Sequence, residues 1–429
     1  MAKSTDIQKE YRLGGGGKLY VLVICSLLLA VNFMDRQVFA AVVEPMKADL
    51  GLSDGSVGVL GTIFLLSTAI FTFPIAYLID RWSRRKAIGI MAIAWSAFTL
   101  LTGFAWNFWS LLIPRTFVGV GEAGFTPGGA ALVGAAYSKK ARGIAMGIFN
   151  MTTALGLALG SLIGGIIAKQ YGWQAPFFIF AIPGVILGIL AFFMKDYQTA
   201  QKTQPGEKVT FIRTVSTLSK IPTLVWIFFG YGLAQITLQS VLFWLPAFVG
   251  RAWQVDVQAA NAVIVPIAMV AIIASPAGGY LADLWFKKNP KGRIYVPAIA
   301  LILAPIFLVA ALFLQLKGPI GMTLIIIFGF LFVLAVPTTM AIIQDVAPAA
   351  QKGTAWGAII LGFYGIGGWS PYLVGSISDA LGQDAQALGT ALTIAGMGAV
   401  LGALFFFMAS RSYVADMDKI KHEQIMAEK

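Results

Sequence analysis

Asp35 and Arg36 stand side by side in NFMDRQVFA, residues 32 to 40, inside an apolar run from Leu19 to Val43. A second acid and base, Arg115 and Glu122, sit in RTFVGVGEAGFTP, residues 115 to 127. Two acids and two bases kept from water can hold one another ionised, release a guanidinium to an anion, or carry a proton on a carboxylate. On a helix, Asn32, Asp35, Arg36 and Phe39 fall at i, i+3, i+4 and i+7 and share one face, while Gln37 points elsewhere. Arg115 and Glu122, seven residues apart, are separated by about two turns, roughly 10 Å, and also share a face. A rise of about 1.5 Å per residue puts Asp35 and Arg115 in the same half of the span, with Glu122 near its middle. An Asp35–Arg115 ion pair is then within steric reach, and Arg36 or Arg115 can meet Glu122 when the helices move.

The elements that must carry these residues are apolar helices. The 429-residue chain is 58% hydrophobic and 12% charged, with a mean hydropathy of +0.81, against an apolar share of about 45–50% in soluble globules. Stretches of about 20 apolar residues, enough to cross roughly 30 Å of hydrocarbon as a helix, recur at 19–43, 56–79, 87–105, 110–136, 143–168 and 172–194. A second set follows at 221–248, 258–281, 294–316, 320–345, 353–378 and 386–410. The expected fold class is therefore all-α and integral to the membrane, with twelve transmembrane helices. Residues 1–18 are polar and contain GGGG, and no A-x-A-like site follows the first apolar run, so that run reads as a retained helix.

Basic residues fix the expected orientation, because cytoplasmic loops hold the excess. With both termini inside, nearly all of the 31 Lys and Arg fall on inner segments, and the outer loops carry Lys47, Lys169, Arg251 and Lys317. Arg36 and Arg115 alone lie within predicted spans. The net charge of +12 thus belongs to topology and anionic lipid, and nucleic acid is excluded as a partner. Cys25 and His422 are each the single residue of their type, which leaves no disulfide, metal cluster or His-based triad. No G-x-x-x-x-G-K-[ST] loop is present for ATP, and no hydroxyl or metal group stands beside the buried acids to make an enzyme. No cofactor is expected.

The segment AYLIDRWSRRK, 76 to 86, is echoed by GYLADLWFKK, 279 to 288, at an offset of 203, and KKARGIAMG, 139 to 147, by AAQKGTAWG, 349 to 357, at 210. Two six-helix halves, 19–194 and 221–410, are expected, joined by a polar linker, 195–220, and flanked by an N-terminal segment, 1–18, and a tail, 411–429. Parallel repeats of this kind are a recurrent transporter architecture with the substrate near the bilayer midplane.

The Asp-Arg-x-x-Arg-Arg loop, Asp80, Arg81, Arg84 and Arg85, weakened to Asp283, Lys287 and Lys288 in the second half, resembles the signature loop of the major facilitator superfamily. The resemblance implies a conformational latch formed by Asp80, Arg81, Arg84, Arg85 and Asp283. NFMDR together with RTFVGVGEAGFTP is similar to the spinster-like branch, which implies sphingolipid or lysolipid export. Asp-Arg on the first helix also occurs in organic-anion symporters of the superfamily. The fifth span, ALGLALGSLIGG, departs from the family's antiporter motif with Ser161 in place of a Pro, and its glycines point to close helix contact.

Each charge at the bilayer centre costs about 2.5–3.5 kcal/mol, so four on one face favour a function. Asp35 and Glu122 are expected to couple protons, and Arg36 and Arg115 to pair with them and with an anionic substrate. Asn32, Phe39, Tyr231, Gln235, Gln239, Trp244, Tyr364 and Trp369 are the expected cavity lining, the 203 offset carrying Asn32 to Gln235 and Arg36 to Gln239. A neutral site becomes net positive when either carboxylate is protonated, which links proton to anion. The expected function is proton-coupled secondary transport of an amphiphilic or lipid-like anion by a monomer in a bacterial inner membrane. A symporter of small organic or sugar-acid anions is the alternative.

Overall fold

The computed structural model describes residues 15–195, 216–314, 317–348 and 351–428. The N-terminal segment and the linker therefore lie almost entirely outside the described residues, as do the side chains of Asp80 and Arg81. Among the described residues the helices are, in chain order, α1 Gly15–Ala41, α2 Val43–Leu50, α3 Asp54–Arg81, α4 Arg84–Thr102, α5 Phe108–Glu122, α6 Phe125–Ala136, α7 Lys139–Tyr171 and α8 Ala175–Ala191, then α9 Pro222–Trp253, α10 Val257–Asn261, α11 Ile264–Lys288, α12 Gly292–Phe313, α13 Gly318–Val346, α14 Lys352–Gly367, α15 Ser370–Leu381 and α16 Ala385–Glu428. Nine stretches among the described residues are long and apolar enough to cross a membrane. The other three expected spans differ for local reasons. The span at 110–136 is broken after Glu122 into α5 and α6, of 15 and 12 residues, and α8 has only 17. Helix α4 opens on Arg84, Arg85 and Lys86, which dilute its apolar run.

Two compact units divide the chain, residues 1–52, 63–208 and 256–265 in the first, and 53–62, 209–255 and 266–429 in the second. In the first, α1 packs on α7 and α8, α4 packs on α5 and α8, and α10 lies against α7. In the second, α9 packs on α14 and α16, and α12 on α13 and α16.

Small residues permit the close contacts. A Cβ at Gly160 of α7 would lie 2.7 Å from both the Cα and the carbonyl oxygen of Met34, and one at Gly164 would lie 3.1 Å from Val38 Cγ2. Gly156 meets Ala30 in the same way. Ala30, Met34 and Val38 recur every four residues, so this stripe of α1 is taken by α7 and the stripe carrying Asp35 and Arg36 is turned elsewhere. The glycines of ALGLALGSLIGG therefore do make a helix contact, and Ser161 within them donates to the Asn261 carbonyl of α10 at 2.9 Å.

The second unit is tied at its polar ends. Asp54, fully buried, receives both ends of the Arg251 guanidinium at 2.7 Å and the Ser378 hydroxyl at 2.7 Å. Asp379 accepts the free backbone N–H groups of Asp54 and Gly55 at 2.9 and 2.8 Å, which caps the start of α3. A second cluster centres on Arg293, which binds Asp345 at 2.8 Å and Asp283 at 2.7 Å, while Asp345 also accepts the Tyr413 hydroxyl.

The packing of α1 on α7 can be tested at one atom. Gly160→Ala places a methyl against backbone that cannot rotate away, and we expect a stability loss of about 1–3 kcal/mol in thermal unfolding of the purified protein. Gly147→Ala on the same helix, where nothing lies within 4 Å, is the control. Equal midpoints for the two variants would contradict the close contact.

Candidate functional site

The four charged residues come together inside the first unit. The α7 contact fixes how α1 faces, and the register of α5 is fixed at its start by a capping box. There Asn107 Oδ1 accepts the Ser110 N–H at 2.8 Å, and Ser110 Oγ accepts the Asn107 N–H at 3.0 Å. Further along α5 two glycines let neighbours approach. A Cβ on Gly119 would strike the Phe64 carbonyl and Ser67 of α3, and one on Gly121 would lie 3.0 Å from Trp95 Cβ of α4. Arg115 and Glu122 are carried on this tightly held helix, with exposures of 3% and 1%.

Arg36 Nε donates to Glu122 Oε2 at 2.7 Å, a buried ion pair whose side chains are 12% and 0% exposed. This is a different pairing from the Asp35–Arg115 contact within reach from helix geometry. Asp35 is 1% exposed and in no ion pair among the described residues, and its carboxylate oxygens make no hydrogen bond of good geometry, only looser contacts with Thr99 and Trp95. Its electrostatic neighbours are Glu122 and Arg115, with Trp95 and Thr99 of α4 beside it. Arg115 lies on aromatic faces, 4.2 Å from the Phe39 ring centre and 4.6 Å from that of Phe64. Arg36 also stands 4.9 Å from Phe33 and 5.5 Å from Phe64. A desolvated cation–π contact is worth about 2 kcal/mol, so the rings supply part of what the missing hydrogen bonds do not. The Asn32 amide lies against Glu122, though neither it nor Glu122 Oε1 makes a hydrogen bond of good geometry.

Sequence reasoning missed Phe64, Trp95 and Thr99. Phe64 stands in an apolar run that gives no signal, whereas Trp95 and Thr99 at i and i+4 put two polar-tipped side chains on one face of α4.

Within the second unit, Gln235 is fully buried with both amide atoms unpartnered, and Tyr231 is buried near Phe363, ring centres 5.9 Å apart. Gln239 and Tyr364 are partly exposed. Trp244 is fully buried and donates its indole N–H to the Pro371 carbonyl at 3.0 Å, so its polar atom is used inside the unit. Trp369 lies at the break between α14 and α15 and is 49% exposed. A Cβ on Gly367 would come 2.6 Å from Gln235 Cβ, so the glycine at this break lets α14 close on the buried amide.

Of the signature loop, Arg85 donates to the carbonyls of Phe192 and Met194 at 3.2 and 3.1 Å, Arg84 is buried, and Asp283 is held by Arg293. Asp80 and Arg81 fall on side chains outside the described residues. No group of His, Cys, Asp and Glu among the described residues has the geometry to hold a metal.

Comparison with known proteins agrees with this architecture. Residues 25–371 match the Major Facilitator Superfamily. The sphingosine-1-phosphate transporter SPNS2 of Danio rerio is 25% identical over 432 residues, covering 92% of this chain and 84% of that protein. The hexuronate transporter of Bacillus subtilis (strain 168) is 26% identical over 381 residues, covering 85% and 89%. Among solved structures, a bacterial homologue of the human lysosomal transporter spinster, inward-facing and unoccupied, superposes with a TM-score of 0.83 at 22% identity, covering 94% of this chain and 99% of that one. The fold and its family follow together: this chain belongs to the Major Facilitator Superfamily, and is an integral, multi-pass membrane transporter and not an enzyme.

Proposed function

We propose that the protein is a proton-coupled secondary transporter of an amphiphilic, lipid-like anion of lysolipid or sphingoid type, working by alternating access. The observation that carries this reading is the buried Arg36–Glu122 pair beside a buried Asp35 whose carboxylate is in no ion pair among the described residues. A carboxylate so placed is held by no guanidinium, and its proton affinity changes when one moves toward or away from it. With both acids ionised the four residues are formally neutral. Protonating one leaves a net positive site, and a guanidinium becomes available for an anionic head group. Asn32 and Phe39 would line the head-group end. Tyr231, Gln235, Gln239, Tyr364 and Trp369 would supply neutral polar and aromatic contacts, with Trp244 held behind them.

The similarity to a protein named as a sphingosine-1-phosphate transporter supports the lipid-like class. The hexuronate transporter, at 26% identity, supports the second reading, symport of a small organic or sugar-acid anion. Both need the same arginines and differ in the apolar part of the ligand. The latch residues Asp80, Arg81, Arg84, Arg85 and Asp283 would bias the conformational equilibrium. We also propose that the two six-helix halves are residues 19–194 and 221–410, that both termini are cytoplasmic, that the membrane is a bacterial inner membrane, and that the monomer is the working form.

Proton coupling is tested in vesicles with an imposed pH gradient. Asp35→Asn and Glu122→Gln are each expected to reduce gradient-driven flux to the level of protein-free vesicles, and flux equal to wild type in both variants would end the coupling argument. The substrate class is tested by thermal shift with lysophosphatidic acid, sphingosine phosphate and glucuronate. The lipid anions are expected to raise the midpoint of the wild type and not of Arg36→Ala, and stabilisation by glucuronate alone would favour the small-anion reading.

A further inference from the structure

A groove of about 430 Å³ opens on the surface of the second unit between α11, α12 and α13, remote in sequence from the charged cluster of α1 and α5. Its walls include Leu281, Leu284 and Trp285 of α11 and Ile299 and Leu303 of α12, and Lys288 stands at one end. These five apolar residues are 37–44% exposed, which is more large apolar surface than water would tolerate in one place and is ordinary for a surface facing acyl chains. The volume falls within the range of about 300–1,000 Å³ usual for ligand sites.

The groove is polar at one end only. Leu281 and Lys288 are separated by seven residues of one helix, or about 10 Å of rise, so the apolar part runs away from the lysine along the direction in which a membrane-spanning helix enters the bilayer. Trp285, one turn before Lys288, has the amphipathic ring that sits at head-group depth. Lys287 and Lys288 form the basic last turn of α11. Asp283 and Asp345 both make their ion pairs with Arg293 rather than with these lysines. Neither lysine has a carboxylate partner among the described residues.

We infer that this groove binds one anionic phospholipid of the surrounding bilayer, its phosphate at Lys288 and an acyl chain along Leu281, Leu284, Ile299 and Leu303. A second copy of the chain fits less well. Helices that associate in membranes do so through small residues that let backbones approach, and these walls are Leu, Ile and Trp, which leave a channel for a flexible chain rather than a flat face for a helix. The site carries a charge that a zwitterionic lipid does not fully match, so it selects by head group as well as by shape.

Native mass spectrometry of the purified protein, released from mixed micelles with equal phosphatidylglycerol and phosphatidylcholine, tests this. The wild type is expected to retain one phosphatidylglycerol in preference to phosphatidylcholine. Lys288→Gln is expected to lower that preference about fivefold, the effect of one basic residue near an anionic head group, without lowering the total lipid retained. Leu303→Trp fills the groove from a lipid-facing position and is expected to lose the bound lipid of either kind. An unchanged preference in Lys288→Gln, or unchanged retention in Leu303→Trp, overturns the assignment. Complete displacement of the lipid by soluble glycerol phosphate, or a lipid-free dimer that Leu303→Trp abolishes, also overturns it, in favour of a head-group site or a second copy.

Discussion

Arg36 can remain ionised in the interior of the first unit because Glu122 meets it at 2.7 Å. Removing one member of a buried pair typically costs about 3–5 kcal/mol, since the other charge is then left without compensation. Such a contact is made only if two helices from different parts of the chain are held in fixed rotation and register. The rotation of α1 comes from glycines on α7 that admit Met34 and Val38, and the register of α5 from the Asn107 capping box and from Gly119 and Gly121. Small residues at helix contacts and charges in the core are therefore one design. The close packing aims the side chains, and the pair is the reason the aim must be accurate.

Arg115 is held differently. It rests on the faces of Phe39 and Phe64, and its Nε has no hydrogen-bond partner among the described residues. Ring faces attract a cation with little directional demand, so a guanidinium resting on them can turn toward a carboxylate without first breaking a network. The Arg251–Asp54 contact in the second unit is the opposite case, with two parallel hydrogen bonds, a third from Ser378 and a capped helix start attached to the same acid. One arrangement suits a charge that must exchange partners, the other a charge that must not. Both are arginines among buried carboxylates, and only the geometry separates them.

What could be read from the sequence follows the same division. The shared face of Asn32, Asp35, Arg36 and Phe39 was legible because helical periodicity alone decides it, and burial was legible because no loop interrupts the run. Which of the possible pairings forms was not. A pairing between helices depends on rotation to within one residue, and Ala30, Met34 and Val38 look no different from other apolar positions until α7 is laid against them. Arg251, Arg293 and Asp345 were hidden for another reason. They stand at span ends, where a charged residue reads as a loop charge that sets topology, and nothing local tells a lysine in solvent from an arginine chelated by two acids. The break after Glu122 did have a local signal, hidden in a long apolar run: Pro127, in the first turn of α6, has no N–H to bond back to the Ala123 carbonyl, which accepts the Thr72 hydroxyl instead.

The second unit has no charge at the positions corresponding to Asn32 and Arg36. It has Gln235, fully buried with its amide unpartnered, and Gln239, partly exposed. A buried amide without a partner costs about 1–3 kcal/mol, much less than an unpaired charge, and it can donate or accept whichever way the ligand presents itself. Asn32 and Asp35 in the first unit are likewise buried without a hydrogen bond of good geometry. These groups hold each unit below the stability that apolar residues of equal volume would give, and water or a polar head group satisfies them at once. Any ligand that binds the folded protein and not the unfolded chain raises its stability by mass action, so polar groups that weaken the empty protein are also the ones through which a substrate's binding energy is felt.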